Sequence, residues 1–332
     1  MIDINLLLQN FDNDITENLL AISVTGSYRY GLQSSTSDVD LNFFFKDNTY
    51  LDKMGDYIVK NINGKKYEIL LLSADFLKEK LNNNFLNLNY TFKKEDLDFL
   101  IKVFDSLPLY GHDYFQEIYS LFSSESLKKS ICNRLSINIL NRLEDIRGMF
   151  CDRELVSTIF CINNLVDYLV DLLLVNYNDY YLRDKWRVSR IQKKIPEKFY
   201  KEYLNYFFSV VDFGDEESIL NRIYMGYEFC RKIIFYIEFD CIEEKTLIIN
   251  SNKSDHMYFK MSGKFFLFFD KKMLLIDELT YYILVAYSCC YDLGKIKKII
   301  ERKIGIFSNQ DFLERVNFLD KKCLLNIGEN RD

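Results

Sequence analysis

The sequence predicts an α+β chain in three parts, and three observations carry that prediction. Near the start, an apolar run of strand length, Leu19-Leu20-Ala21-Ile22-Ser23-Val24, stops short of Gly26. A polar loop follows, then a second apolar run at Asn42-Phe43-Phe44-Phe45. From about Asp113 to Cys241, apolar residues recur every three or four positions, the period of a helix with one buried face. From His256 onward, three short apolar runs separated by turn residues precede three further helical stretches. The expected architecture is a mixed sheet with helices over residues 1–112, a helical bundle over 113–245, and three strands followed by three helices over 246–332.

Composition narrows the function classes. A chain of 332 residues with 48% hydrophobic residues has ample material for two or three cores. The net charge of −6 argues against wholesale nucleic-acid binding. That charge is uneven: residues 246–332 carry 14 Lys+Arg against 11 Asp+Glu, and the rest 29 against 38. The 24 Tyr and 28 Phe make the chain unusually aromatic, and the scarcity of Pro (2) beside abundant Asn, Lys and Ile points to an AT-rich coding genome. The 8 Cys are scattered with no Cys-x-x-Cys pair, and Cys289 and Cys290 are adjacent, a spacing ill suited to a disulfide or a metal clip. Reduced, buried thiols in a cytoplasmic protein are the reading that follows. With only His112 and His256, neither a histidine-based zinc site nor a Ser-His-Asp triad finds support. The first residues lack the basic start of a signal peptide, and Asp167 and Asp171 interrupt the greasy stretch 165–175, so no membrane span is expected. No internal repeat or low-complexity linker is present.

In the first part, residues 1–18 read as a short amphipathic helix leading into the first strand. Residues 50–60 read as a helix, Asn63-Gly64 as a turn, and Lys66 to Leu72 as a strand carrying a single acid, Glu68. Ser73-Ala74-Asp75 is an N-cap for a helix through Lys80. A helix over 95–104 and an extended segment, Ser106 to Gly111, close the region. The chemistry concentrates between the first two strands, at Gly26-Ser27-Tyr28-Arg29-Tyr30-Gly31 and Ser37-Asp38-Val39-Asp40-Leu41. Residues i and i+2 of a strand share a face, so Asp38 and Asp40 project side by side. Carboxylates that close repel one another unless a cation lies between them, and hard oxygen ligands suit Mg²⁺ or Mn²⁺. A Gly-Ser turn at a strand end presents backbone N–H groups and a hydroxyl to phosphate oxygens. Acids, cation and phosphate cradle together point to phosphoryl or nucleotidyl transfer. An Asp-x-Asp pair alone is usually a solvated strand face, and Gly-Ser alone is any turn; the two in register between strands are far more specific.

Gly-Ser, a second glycine, then Ser-Asp-x-Asp-Leu resembles the nucleotidyltransferase superfamily of DNA polymerase β type, closest to its minimal and kanamycin-nucleotidyltransferase-like branches, over roughly residues 19–110. By that resemblance Asp38 and Asp40 are catalytic metal ligands and Glu68 is the third acid, with Asp75 and Asp56 as weaker candidates. Gly26 and Ser27 hold the nucleotide's β- and γ-phosphates, with Arg29 and Ser37 beside them. The implied cofactor is Mg²⁺ or Mn²⁺ and the implied substrate a nucleoside triphosphate, ATP first among them.

In the central part, residues 126–150, 153–176 and 217–239 form long helices with short connections, as in a bundle. Between them lies Asn178-Asp179-Tyr180-Tyr181-Leu182-Arg183-Asp184-Lys185-Trp186-Arg187, a polar loop holding the only Trp in the chain. It resembles a Tyr-x-x-x-Lys-Trp segment in kanamycin-nucleotidyltransferase-like proteins, which places Lys185 toward the nucleotide phosphates and Tyr181 along the cleft. The competing reading is a Trp that anchors the loop, flanked by solvated charges.

The last part reads as strands at 256–261, 265–269 and 273–276, then helices from Asp277 to about Cys290, over 293–303 with Gly305 as its C-cap, and over 310–319. This order, with Leu275-Ile276-Asp277-Glu278-Leu279-Thr280 at the strand-to-helix junction and Cys323-Leu324-Leu325 after the last helix, resembles the PqqD-like fold, a small winged helix-turn-helix. Such domains recognise the leader of a ribosomally made precursor peptide by strand addition. The resemblance places the groove between Lys272, Met273, Leu274, Leu275 and Ile276 on one side and Phe312, Arg315, Val316 and Leu319 on the other. A DNA-binding winged helix, with Lys295, Lys297, Lys298, Arg302 and Lys303 supplying charge, is the competing reading. A domain that merely packs on the bundle is the third. The small positive excess favours peptide over nucleic acid.

The expectation from the whole chain is a cytoplasmic, metal-dependent enzyme. It moves a nucleoside monophosphate from a triphosphate, with pyrophosphate release, to an acceptor such as a docked precursor peptide. The alternatives are a small-molecule nucleotidyltransferase of antibiotic-resistance type, one acting on RNA or a toxin partner, and a non-catalytic peptide- or DNA-binding protein.

Overall fold

Strands β1 (Leu19–Val24), β2 (Val39–Phe45), β3 (Tyr57–Ile62), β4 (Lys65–Ser73) and β5 (Leu107–Tyr110) make one sheet in the order β3-β4-β2-β1-β5. The β2–β4 pair is parallel, and the β1–β2, β1–β5 and β3–β4 pairs are antiparallel. This computed structural model describes residues 2–47, 49, 56–84, 94–239, 256–269, 272–290, 292–322 and 324–325. The chain divides into two compact units: residues 1–131 with 180–189, and residues 132–179 with 190–332. The five-stranded sheet belongs to the first.

β2 is buried almost end to end because the sheet is covered on both faces, the setting in which a strand reads as a continuous apolar run. Phe43 lies 5.2 Å from Phe11 on one face, while Phe44 meets Phe115 edge-on at 5.3 Å on the other. Each such ring contributes on the order of 2–3 kcal/mol by leaving water. Asn42 is fully buried in the same strand, and its amide nitrogen donates to Ser23 Oγ (3.0 Å) and to the Lys102 carbonyl (2.7 Å).

The helix expected over residues 50–60 is overturned where it can be followed. Tyr57–Ile62 is a strand, and residues 50–55 lie outside the described residues. The reason is the hairpin: Asn63 (φ 50°) and Gly64 (φ 77°) are both left-handed, as a two-residue type I′ turn requires, so Asn-Gly demands a strand on each side. Tyr57-Ile58-Val59 also alternates exposed and half-buried, the period of a strand. Elsewhere in this unit the expected elements recur. Two short helices, α1 (Ile4–Leu8) and α2 (Asn13–Asn18), take the place of one amphipathic helix. Ser73 Oγ accepts from the Phe76 N–H at 3.0 Å and caps α4 (Ala74–Asn84), α3 being the turn Gly26–Arg29; α5 (Lys94–Phe104) follows.

Helices α6 (His112–Leu121), α7 (Ser124–Cys151), α8 (Leu155–Asn176), α9 (Arg187–Lys194), α10 (Glu197–Phe207) and α11 (Glu216–Phe239) follow along the chain; in the second unit α8 packs against α11, with α10 beside α11. Helix α8 is long and apolar enough to cross a membrane, and 72% of its most apolar window is buried inside the structure. Its Asp171 is buried and paired with Arg190. A three-stranded antiparallel sheet follows: β6 (Met257–Met261), β7 (Lys264–Phe269) and the edge strand β8 (Lys272–Ile276). Helices α12 (Glu278–Tyr287), α13 (Leu293–Ile304) and α14 (Asn309–Lys321) come next. Asp277, Asp292 and Ser308 cap them in turn by accepting from the N–H groups of Thr280, Lys295 and Asp311. Three strands followed by three helices is the order the sequence predicts.

Candidate active site

The parallel β2–β4 pair places the acids. Asp40 and Glu68 are direct partners across the two strands, and Asp38 stands two residues before Asp40 at the mouth of β2. The β1–β2 connection brings the glycine turn to the same point: the Thr25 N–H donates to the Asp40 carbonyl at 3.0 Å. Gly26 (φ 63°) then passes so close that a Cβ there would lie 2.0 Å from Asp40 Oδ2. Only glycine fits, both for its backbone and for the carboxylate beside it. The result is a cavity of about 520 Å³ lined by Thr25, Gly26, Ser27, Ser37, Asp38, Asp40, Glu68, Asp98, Lys102 and the segment Tyr181–Lys185.

The acids are not equivalent. Burial raises the pKa of Asp40, reinforced by the charges of Glu68 and Asp38 and opposed by Lys102 and Arg183. Lys102 Nζ stands 4.0 Å from Asp40 Oδ1. Glu68 is shifted the other way, downward, first by the hydrogen bond from Lys66 and then by that from Tyr57. Lys66 Nζ donates to Glu68 Oε1 (2.6 Å) and to Asp38 Oδ2 (3.1 Å), and its own pKa is raised by those two bonds. Three carboxylates and the Lys102 amine thus line one cavity, and Lys66, itself outside the lining, reaches two of those carboxylates.

Among the described residues, no group of three or more His, Cys, Asp or Glu side chains is arranged to ligate a metal. The donor chemistry of Asp38, Asp40 and Glu68 nevertheless suits a hard divalent cation, since all are carboxylates and Asp40 is destabilised as an anion first by burial and then by the charges of Glu68 and Asp38. The amine of Lys66 stands between two of them.

Of the expected nucleotide-site residues, Gly26, Ser27, Ser37, Tyr181 and Lys185 line this cavity with the three acids. Ser37 Oγ accepts from the Ser34 N–H at 2.9 Å, which ties the loop leading to Asp38. The Tyr181 ring stacks on Tyr30 at 4.7 Å, and the Lys185 amine lies 5.7 Å from the Trp186 ring. Arg29 is not among the lining residues; its guanidinium donates to the Asp105 carbonyl (3.0 Å) and pairs with the Asp105 carboxylate (3.4 Å). Of the weaker third-acid candidates, neither Asp56 nor Asp75 lines the cavity. Sequence reasoning passed over Lys66, Lys102, Asp98 and Arg183. Lys66 carried a signal, sharing a strand face with Glu68 two residues on. Arg183 pairs with Asp98 at 3.2 Å, a meeting of distant segments with no local trace.

In the second unit, β8 and α14 border a separate cavity of about 650 Å³ that includes Lys272, Leu274, Leu275, Ile276, Arg315 and Leu319. Arg315 Nε donates to Asp277 Oδ1 at 3.0 Å. Met273 is exposed on β8, whereas Phe312 and Val316 are buried in the core beneath α14.

A search of curated proteins finds no match. Among solved structures, the chain is similar to a nucleotidyltransferase-like protein from Exiguobacterium sibiricum 255-15. The identity is 15% and the TM-score 0.39, over 71% of this chain and 77% of that one. At the level of families, residues 17–110, the stretch that builds the cavity's Gly-Ser turn and all three acids, match the nucleotidyltransferase domain.

Proposed function

We propose that this chain transfers a nucleoside monophosphate from a nucleoside triphosphate to an acceptor, with Asp38, Asp40 and Glu68 as the catalytic acids. One observation carries the reading: the register that sets Asp40 opposite Glu68 puts both, with Asp38, in one cavity with the Gly26-Ser27 turn. The match to the nucleotidyltransferase domain supports transfer and implies a triphosphate substrate. In the reaction, the acceptor's oxygen or nitrogen forms a bond to the α-phosphorus, the bond from that phosphorus to the bridging oxygen breaks, and pyrophosphate leaves. Gly26 and Ser27 present N–H and hydroxyl donors to the triphosphate, assisted by Lys185, with Tyr181 along the cavity wall. A divalent cation, Mg²⁺ or Mn²⁺, would be held by Asp38, Asp40 and Glu68 and would supply charge neutralisation at the α-phosphate.

The acceptor we favour is a precursor peptide docked on residues 246–332. In that part β8 is an edge strand of its sheet among the described residues, and Leu275 on it is 68% exposed. An exposed apolar edge is what strand addition uses. The winged-helix reading of this part and the three-domain division at residues 112 and 245 belong to the same proposal.

The test is transfer of label from the four α-³²P nucleoside triphosphates with Mg²⁺ or Mn²⁺, with and without the peptide encoded beside this gene. Wild type is expected to release pyrophosphate and label an acceptor. Asp38→Asn with Asp40→Asn is expected to lose roughly 10³-fold or more in rate while keeping its circular-dichroism spectrum. Undiminished transfer by the double variant would remove these residues from the chemistry.

A further inference from the structure

Lys66 is the group bonded to the cavity's acids that nucleotidyl transfer leaves unexplained. Its amine is shared between two of the three acids, 2.6 Å from Glu68 and 3.1 Å from Asp38. Strand geometry puts it there: Lys66 and Glu68 lie on the same face of β4, and Asp38 and Lys66 each stand one residue before the Val39–Tyr67 pair of the parallel β2–β4 ladder. A divalent cation bound by these acids requires carboxylate oxygens within ~2.0–2.6 Å. An ammonium bridging the same oxygens occupies that space and brings a like charge. The two cations exclude each other on steric and on Coulomb grounds.

The lysine is also able to leave. Its side chain is 42% exposed, on a flexible four-carbon stem, unlike the deeply buried basic residues elsewhere in the chain. Lys102, at 4.0 Å from Asp40, serves the third acid more loosely and does not bridge.

We propose that Lys66 is an exchangeable internal cation. It neutralises Asp38 and Glu68 while the site is without metal, and it swings away when a divalent cation binds, so that the protein's affinity for free metal is set by competition with its own lysine. This inference rests on the nucleotidyl-transfer reading of the same acids. It makes Lys66 a positioning residue that holds the carboxylates together in the empty site.

The experiment measures Mn²⁺ binding to the full chain without nucleotide, by electron paramagnetic resonance of the free ion, for wild type, Lys66→Met and a Lys65→Met control. Lys65 is the neighbouring strand residue, and its amine lies over the Tyr28 ring. Lys66→Met is expected to bind Mn²⁺ about tenfold or more tightly than wild type, and Lys65→Met equally to wild type. Because Lys66→Met leaves Asp38 and Glu68 facing each other without a cation, its melting is followed in parallel. A second readout does not depend on Lys66→Met folding. In wild type, the Lys66 side-chain ¹⁵Nζ resonance is expected to shift on Mg²⁺ addition, and not to shift in Asp38→Asn. Unchanged Mn²⁺ affinity in a folded Lys66→Met, or a Lys66 resonance indifferent to Mg²⁺ while wild type binds it, overturns the proposal and leaves the transfer reading intact. Failure of every protein to bind Mn²⁺ overturns both.

Discussion

Two clusters of carboxylates and basic side chains in this chain come to opposite ends. In the second unit, Arg190 is 1% exposed, and its Nε and Nη1 donate to Asp179 (2.9 Å) and Asp171 (3.1 Å), both also buried. In the first unit, Asp38, Asp40 and Glu68 face a cavity beside Lys66 and Lys102, whose side chains are 42% and 38% exposed. The first arrangement is sealed: geometry is fixed and each carboxylate reaches the guanidinium. The second is open and unbalanced, with carboxylates near enough to disturb one another and amines free to move. Sealed clusters serve the fold, because nothing from outside can enter. Open clusters with repelling charges invite a cation or a substrate.

The largest effect that would break this comparison is on the sealed side. Arg190→Met removes the guanidinium that two buried carboxylates share, and breaking a buried network in this way costs about 3–5 kcal/mol. A urea melt monitored by circular dichroism is expected to show that loss. Adding Asp171→Asn and Asp179→Asn to the same chain is expected to recover part of it. A cost below about 1 kcal/mol for Arg190→Met would mean that the cluster is not structural.

Much of this contrast was invisible in the sequence, for identifiable reasons. Asp38, Asp40 and the Gly26-Ser27 turn were legible because they are local: a strand of period two and a tight turn fix their relation within fifteen residues. Glu68 was legible only as a single acid on a strand, since its place opposite Asp40 depends on a parallel pairing that the sequence leaves unstated. Lys102 and the Arg183–Asp98 pair arise from helices and loops meeting across the fold, which no window of sequence contains. Asp171 read as an interruption in a greasy helix, because its partner Arg190 lies nineteen residues further on. The strand at Tyr57–Ile62 was missed although its turn was recognised, an inconsistency that the Asn-Gly rule could have removed.

On the open side a smaller effect of opposite sign is expected. Burial raises Asp40 above its ordinary value, so in a window from about pH 3.8 upward the folded protein keeps a proton that the unfolded chain has lost. The contribution of Asp40 to stability is therefore fully present below that window and falls as pH rises through the folded-state value. Above it a constant penalty remains. Asp40→Asn has no charge to desolvate, so at pH 7 it is expected to melt higher than wild type while losing transfer. The gain should vanish at low pH, where Asp40 is protonated in both states. Calorimetry at several pH values separates this from a pH-independent packing effect. An Asp40→Asn protein less stable than wild type at pH 7 would place Asp40 with the sealed cluster.

The smallest effect concerns a third kind of surface, apolar instead of charged. Leu275 stands on the edge strand β8 at 68% exposure, beside the cavity that β8 shares with α14. A leucine that carries the fold costs 2–5 kcal/mol when lost from a core, whereas a surface change stays within about 0.5 kcal/mol. Leu275→Glu is expected to fall in the second class by chemical denaturation, and to weaken binding of the apolar dye ANS to the folded protein. The combination matters more than either number. An exposed leucine that can be removed without stability loss, yet forms part of a dye-accessible groove, is not held there by the needs of folding. A loss above about 1 kcal/mol would show that the β8 edge is part of the core, and the case for peptide docking there would lose its physical basis.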